Sequence, residues 1–110
     1  MNKDKIIEST LDYHDDLIAS LKDPEEAYGY LCIALEEYQE DNKKEALLSA
    51  LKNVAKAQGG IAKLARNTNL NRQNLYKIFS EKGNPKLDNF SAILKGLGFK
   101  LSIERCERHN

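Results

Sequence analysis

The sequence predicts an all-α protein, a helix-turn-helix bundle of about five helices with a short C-terminal β-strand. Three observations carry that expectation. Apolar residues recur at i, i+3 and i+4 through most of the chain, helix punctuation is explicit at Asp23-Pro24, Gly59-Gly60 and Gly98, and only residues 99–104 alternate with period two. At 110 residues the chain has the length of one domain with a modest core.

Residues 1 to about 11 read as a polar arm. The stretch DYHDDLIASLK that follows carries Leu17, Ile18 and Leu21 at helical spacing. Asp23-Pro24-Glu25-Glu26 is a start signal, with Asp as N-cap, Pro at the first helical position and Glu26 placed to complete a capping box. The helix it opens holds Ala27, Tyr28, Leu31, Ala34, Leu35 and Tyr38 on one broad stripe and ends near Asp41 and Asn42. A third helix, Lys43 to Gln58, carries Leu47, Leu48, Leu51, Val54 and Ala55. Gly59 is placed as its left-handed terminator and Gly60 as the cap of the next helix.

The stretch GIAKLARNTNLNRQNLYKIF, Gly60 to Phe79, has the spacing of a DNA-reading helix-turn-helix. On a helix over Ile61 to Asn67, the residues Ile61, Leu64 and Ala65 share an inward face, and Ala65 is small enough for a second helix to cross closely. Thr68-Asn69-Leu70 makes the turn, Asn being the residue with a side chain that best tolerates positive φ. Asn71 is a suitable N-cap for a helix over Arg72 to Ser80, with Leu75, Ile78 and Phe79 inward. The remaining face carries Arg72, Gln73, Asn74, Tyr76 and Lys77. Arg can grip guanine O6 and N7, Gln or Asn can do the same for adenine N6 and N7, and Lys, Tyr and Ser80 suit phosphates. A solvated polar face is the alternative reading of the same residues.

Glu81-Lys82-Gly83-Asn84-Pro85-Lys86 reads as a turn, and Lys63, Lys82 and Lys86 as further phosphate contacts. Asp88 is placed to cap a last helix with Phe90, Ile93, Leu94 and Leu97 inward, which Gly98 ends. In FKLSIE, Phe99, Leu101 and Ile103 alternate with polar residues as in a half-buried strand. A lone strand needs a partner, either the same strand of a second copy or a sheet edge on another protein, so this segment predicts a homodimer joined through Phe99, Leu101 and Ile103, or else a frayed tail.

Charge is divided unevenly along the chain. Residues 1–42 hold 3 Lys and Arg against 12 Asp and Glu, a net −9, while residues 43–110 hold 14 against 5, a net +9. The basic part is the electrostatic footprint of phosphate binding, and the acidic part would repel DNA but attract a basic protein. Alternatively the acidic helices are merely solvated or lean on the basic half. The chain therefore divides into acidic arm and helices over 1–42, a DNA-binding core over 43–98, and a strand and tail over 99–110.

Two cysteines, Cys32 and Cys106, make no disulfide framework, and Cys106 with His109 is only an isolated C-x-x-H. His14 beside Asp15 and Asp16 has no nucleophile or phosphate loop to work with. The expectation is a non-enzymatic protein without metal or cofactor. With no apolar run fit for a signal peptide or membrane span, the sequence reads as cytoplasmic and without a membrane partner.

The segment from Asp12 to Glu104 resembles the addiction-module antidote proteins, HigA-like antitoxins with a Cro/lambda-repressor type helix-turn-helix. DPEEAYGYLCIALEE resembles their capped N-terminal helix, GGIAKLARNTNLNRQNLYKIFSEKGNPKLDNF their DNA-binding core, and AILKGLGFKLSI their closing helix and strand. The resemblance implies a lambda-repressor-like fold and an antitoxin that neutralises a RelE-like ribonuclease toxin. It also implies a dimer that represses the shared operon on double-stranded operator DNA, with Asn71, Arg72, Gln73 and Tyr76 at base-reading positions. Asn69 and Asn71 stand where relatives commonly show Gly and Ser, and Gln73 and Asn74 where Glu and Ser are usual. Two other functions fit the residues: a stand-alone prophage-type transcriptional regulator without a toxin, and a protein-binding adaptor that keeps the motif as scaffold.

Overall fold

The computed structural model describes residues 13–80 and 82–107, and among them there are six helices and no strand. They are α1 (residues 13–20), α2 (Pro24–Asp41), α3 (Lys44–Ala57), α4 (Gly60–Thr68), α5 (Arg72–Ile78) and α6 (Leu87–Gly96). The expected arm, Asp12 at the head of the first helix, Glu81 in the turn and His109 of the C-x-x-H pair lie outside the described residues.

Helix α3 is the spine of the bundle. It packs on α2 along one side and on α4 along another, and α4 in turn meets both α5 and α6. Seven of its residues are buried, including Leu47, Leu51 and Val54, because its apolar residues spread around most of the helix. Leu21, Leu51, Val54, Leu75 and Ile93 are the largest side chains lost entirely to solvent, so every part of the chain from the end of α1 to α6 contributes to one core. Shortening Leu21, Leu51, Leu75 or Ile93 to Ala would cost about 2–5 kcal/mol, the usual range for a buried Leu or Ile. The buried polar side chain among the described residues is Asn53, whose Nδ2 donates to the Tyr30 hydroxyl at 3.0 Å. That bond fixes which side of α2 faces α3.

The α2 stripe is narrower than its periodicity suggests. Ala27, Leu31 and Ala34 are buried and Tyr30, Leu35 and Tyr38 pack beside them, but Tyr28 is 57 % exposed, contrary to its expected inward place. The buried line runs through Ala27, Leu31 and Ala34, which leaves Tyr28 on the flank.

Helix ends follow the sequence with four corrections. Asp23 caps α2 by accepting the Glu25 N–H at 3.1 Å, but the reciprocal half of the capping box does not form, because the Asp23 N–H already donates to the Ser20 carbonyl. Gly59 at φ 112° caps α4 and Gly60 at φ 89° is its first residue, so the cap lies one residue earlier than expected. Helix α5 stops at Ile78, short of Ser80, since the Ser80 hydroxyl and N–H both turn back onto the Lys77 carbonyl. Helix α6 begins at Leu87 with Lys86 as its N-cap; Asp88 lies inside the first turn, where its charge complements the helix dipole instead of capping.

At the far end of α6 the expected glycine stop is present. Gly98 takes φ 92°, its N–H donates to Lys95, and the Phe99 N–H reaches back to the Leu94 carbonyl at 2.8 Å, a Schellman closure. Beyond it, residues 100–107 belong to no helix and no strand. Among the described residues the expected strand has no edge to pair with.

Candidate nucleic-acid interface

The sharp reversal between α4 and α5 rests on three consecutive residues. Asn69 sits in the left-handed region at φ 62°, which lets the chain turn where most side chains would clash with their own backbone. Thr68 holds the turn from one side: its hydroxyl donates to the Leu64 carbonyl at 2.8 Å and accepts the Leu70 N–H at 3.2 Å. Leu70 is half-buried against the core. Asn71 then caps α5, its Oδ1 accepting the Asn74 N–H at 2.7 Å.

Helix α5 is anchored by the apolar side of its two turns. Leu75 is fully buried, Ile78 and Phe79 nearly so, and the half-buried Ala65 of α4 sits in the cluster with them. Arg72, Gln73, Asn74, Tyr76 and Lys77 are all exposed, as is Asn71. The structure thus brings the expected base-reading residues onto one outward surface. Their roles are not equal, however. The Asn71 amide oxygen is turned to the backbone by the cap, whereas a two-bond grip on adenine needs an acceptor and a donor both turned outward. Gln73 and Asn74 keep both.

Of the expected phosphate residues, Lys77, Lys82 and Lys86 converge with Asn74 around one cleft of about 540 Å³ at the C-terminal end of α5. Gly83 is buried at its floor, with its N–H on the Ser80 carbonyl at 2.9 Å, and any side chain there would run into the Ile78 backbone carbonyl. That close approach fixes the loop carrying Lys82 and Lys86. Lys63 is exposed on α4 and lines a different hollow, beside Gly60 and Asn67, so it stands apart from the other three lysines. Ser80 is exposed too, but its hydroxyl proton is engaged by the Lys77 carbonyl. Thr68 and Gly83 are the positioning residues that spacing arguments missed; a Thr ending one helix just before an Asn turn, and a Gly closing the next, were the available signals.

The three residues expected at a dimer contact lie far along the chain from this surface. Phe99 is half-buried and stacks on Tyr28 with ring centroids 6.4 Å apart, whereas Leu101 and Ile103 are exposed. The Tyr28 phenol titrates above its ordinary value, chiefly because Cys32 hydrogen-bonds it and opposes its ionised form; partial burial and the Glu104 and Glu25 carboxylates act in the same direction.

Among the described residues no group of three or more His, Cys, Asp or Glu could hold a metal ion, and no helix is long and apolar enough to cross a membrane. The result is a small helical protein whose distinctive surface is a polar helix held on a capped turn, flanked by lysines. The chain belongs to the family described as "Probable addiction module antidote protein", whose model matches residues 12–105. It is also similar to an uncharacterised protein of Haemophilus influenzae, at 33 % identity over 90 residues that cover 82 % of this chain and 88 % of the relative. No solved structure matches it significantly. Family membership implies an antitoxin role and a toxin of some kind as partner.

The turn geometry has a direct test in thermal unfolding. Asn69→Gly should leave the stability unchanged or raise it, whereas Asn69→Ala should cost about 1–2 kcal/mol by forcing a methyl into the left-handed region, and Asn71→Ala about 1 kcal/mol through the lost cap.

Proposed function

We propose that this protein is a HigA-like antitoxin that reads operator DNA with α5, in the manner of a Cro/lambda-repressor type helix-turn-helix, and so represses its own operon. The observation that carries the reading is the outward surface of α5. Arg72, Gln73 and Asn74 stand exposed in its first turn, where recognition helices meet base edges, while Leu75 and Ile78 hold the rod to the core. Arg72 is assigned to a guanine, Gln73 or Asn74 to an adenine, Tyr76 to the adjoining bases, and Lys77, Lys82 and Lys86 to phosphates. Two copies would set their α5 helices about one DNA turn, roughly 34 Å, apart on a pseudo-palindromic site.

The toxin partner is assigned as a RelE-like ribonuclease in the same cytoplasm. A protein that grips RNA is basic, and α2 presents Glu36, Glu37 and Glu40 to solvent, so opposite charge would steer the encounter. Removing residues 1–42 is not a usable test of this contact, because Leu21, Ala27, Leu31 and Ala34 would leave the core with them.

In fluorescence anisotropy on a duplex from the protein's own promoter, Arg72→Ala should weaken binding about 5- to 150-fold, equivalent to about 1–3 kcal/mol. Lys82→Ala should weaken binding to all sequences alike and lower the salt-dependence slope by about 1. Unchanged affinity in both variants would remove the DNA-reading role. Separately, the triple variant Glu36→Lys, Glu37→Lys, Glu40→Lys should slow association with the toxin encoded beside it at low salt by roughly tenfold or more; an unaltered association rate would move the toxin contact off α2.

A further inference from the structure

Helices α2 and α6 are each held by another neighbour, α2 by α3 and α6 by α4, and are not closely packed on one another. Between them runs an apolar trough. One reach of about 550 Å³ lies beside Tyr28 and Leu94, the other of about 310 Å³ beside Tyr38, Leu87 and Phe90, and Leu35 lines both. The buried Leu47 and Leu48 of α3 lie at the bottom of the second reach. Both walls are seams at helical spacing: Leu87, Phe90 and Leu94 stand at i, i+3 and i+7 on α6, and Tyr28, Leu35 and Tyr38 at i, i+7 and i+10 on α2. Their apolar surface is open to water, with Leu87 72 % exposed, Tyr28 57 %, and Leu35, Tyr38 and Phe90 half-buried. From Tyr28 to Tyr38, α2 rises about 15 Å, room for about three turns of another helix.

Charge on the rim selects that helix. Helix α2 contains Glu25, Glu26, Glu36, Glu37, Glu40 and Asp41 and no Lys or Arg. Glu25 lies three residues before Tyr28 and Glu36 four after Cys32, so both border the seam. The Glu25 and Glu104 carboxylates both act on the Tyr28 phenol at its end of the trough. Across the gap, Asp88 and Lys95 of α6 offset each other. Lys100 and Lys44 line one reach each and leave the α2 side negative. A second copy docked by the same surface would bring two acidic walls into one interface, because a two-fold contact uses the same patch twice. A helix of another protein with Lys or Arg beside its apolar stripe has the complementary charge and shape.

We propose that this trough is the seat of the toxin: an amphipathic helix of that basic protein lies between α2 and α6, with its apolar stripe on Leu35, Leu87 and Phe90 and its Lys or Arg residues toward Glu25 and Glu36. This rests on the toxin-neutralising reading and deepens it, because the contact that holds the complex becomes an apolar slot that the α2 carboxylates only border. The carboxylates then govern arrival of the toxin, and the apolar anchors its departure.

The test measures binding kinetics between the full chain and the purified toxin encoded beside it. Leu87→Gln and Tyr28→Gln, both at exposed positions, should each raise the dissociation rate roughly tenfold or more, the effect of losing one large apolar contact, and change the association rate by less than about threefold. Ile33→Gln, at a position 58 % exposed on α2 but in neither reach of the trough, should leave both rates unchanged. In the Cys106→Ser chain, bound toxin should slow iodoacetamide alkylation of Cys32, half-buried in the first reach, by roughly tenfold or more. That measurement leaves the trough intact and does not depend on how the variants fold. Wild-type rates in both Leu87→Gln and Tyr28→Gln, an equal loss in Ile33→Gln, or full Cys32 reactivity in the complex would each overturn the proposal. So would a change in self-association of Leu87→Gln without toxin, which would give the trough to a second copy. A toxin that does not bind the unaltered chain would overturn the partner assignment itself and the trough with it, a failure distinct from the others.

Discussion

The placement of α5 depends on the reversal at Asn69. A left-handed residue at that point ends α4, and the Thr68 hydroxyl ties the carbonyl of Leu64 to the N–H of Leu70 so that the chain leaves in one direction only. With the direction set, Leu75 enters the core completely and the Asn71 cap closes the first turn of the new helix. A seven-residue helix is far below the length at which isolated helices persist in water, so α5 owes its existence to this turn and to its buried side chains. Its polar surface is rigid because its apolar surface is anchored.

The rest of the bundle serves that arrangement. Helix α3 supplies the common wall for α2 and α4, and α4 carries both α5 and α6. The loop between α5 and α6 is held by the close approach of Gly83 to the Ile78 carbonyl, which keeps Lys82 and Lys86 beside Lys77. Charge is segregated along with structure: the acidic residues of α2 and the lysines around α5 sit on different elements. One small chain can in this way offer surfaces of opposite sign to two kinds of partner, as an antitoxin must if it also binds DNA.

Much of this was legible in the sequence because local signals and the global fold agree. Asp23, Gly59, Asn71 and Gly98 each mark a helix boundary to within a residue, and the buried residues of α3, α4 and α5 follow helical spacing. The misreadings are those that need a neighbour. Tyr28 lies on the α2 stripe by periodicity, yet it is exposed while Tyr30 meets Asn53. Asp88 has the chemistry of a cap, yet the chain after Pro85 enters the helix earlier, at Leu87. The Ser80 hydroxyl is taken by the Lys77 carbonyl, a fact that composition cannot disclose. The period-two tail is visible as a pattern, but a strand exists only with something to pair with, and the described residues do not contain it.

Whether the exposed face of α5 meets DNA is read by amide NMR during titration with the protein's own promoter duplex. If it does, the resonances of Arg72 to Lys77 and of Lys82 to Lys86 shift and broaden first, with those of Glu36 to Glu40 unmoved. Shifts confined to α2 or the tail, with α5 silent at saturation, would contradict it.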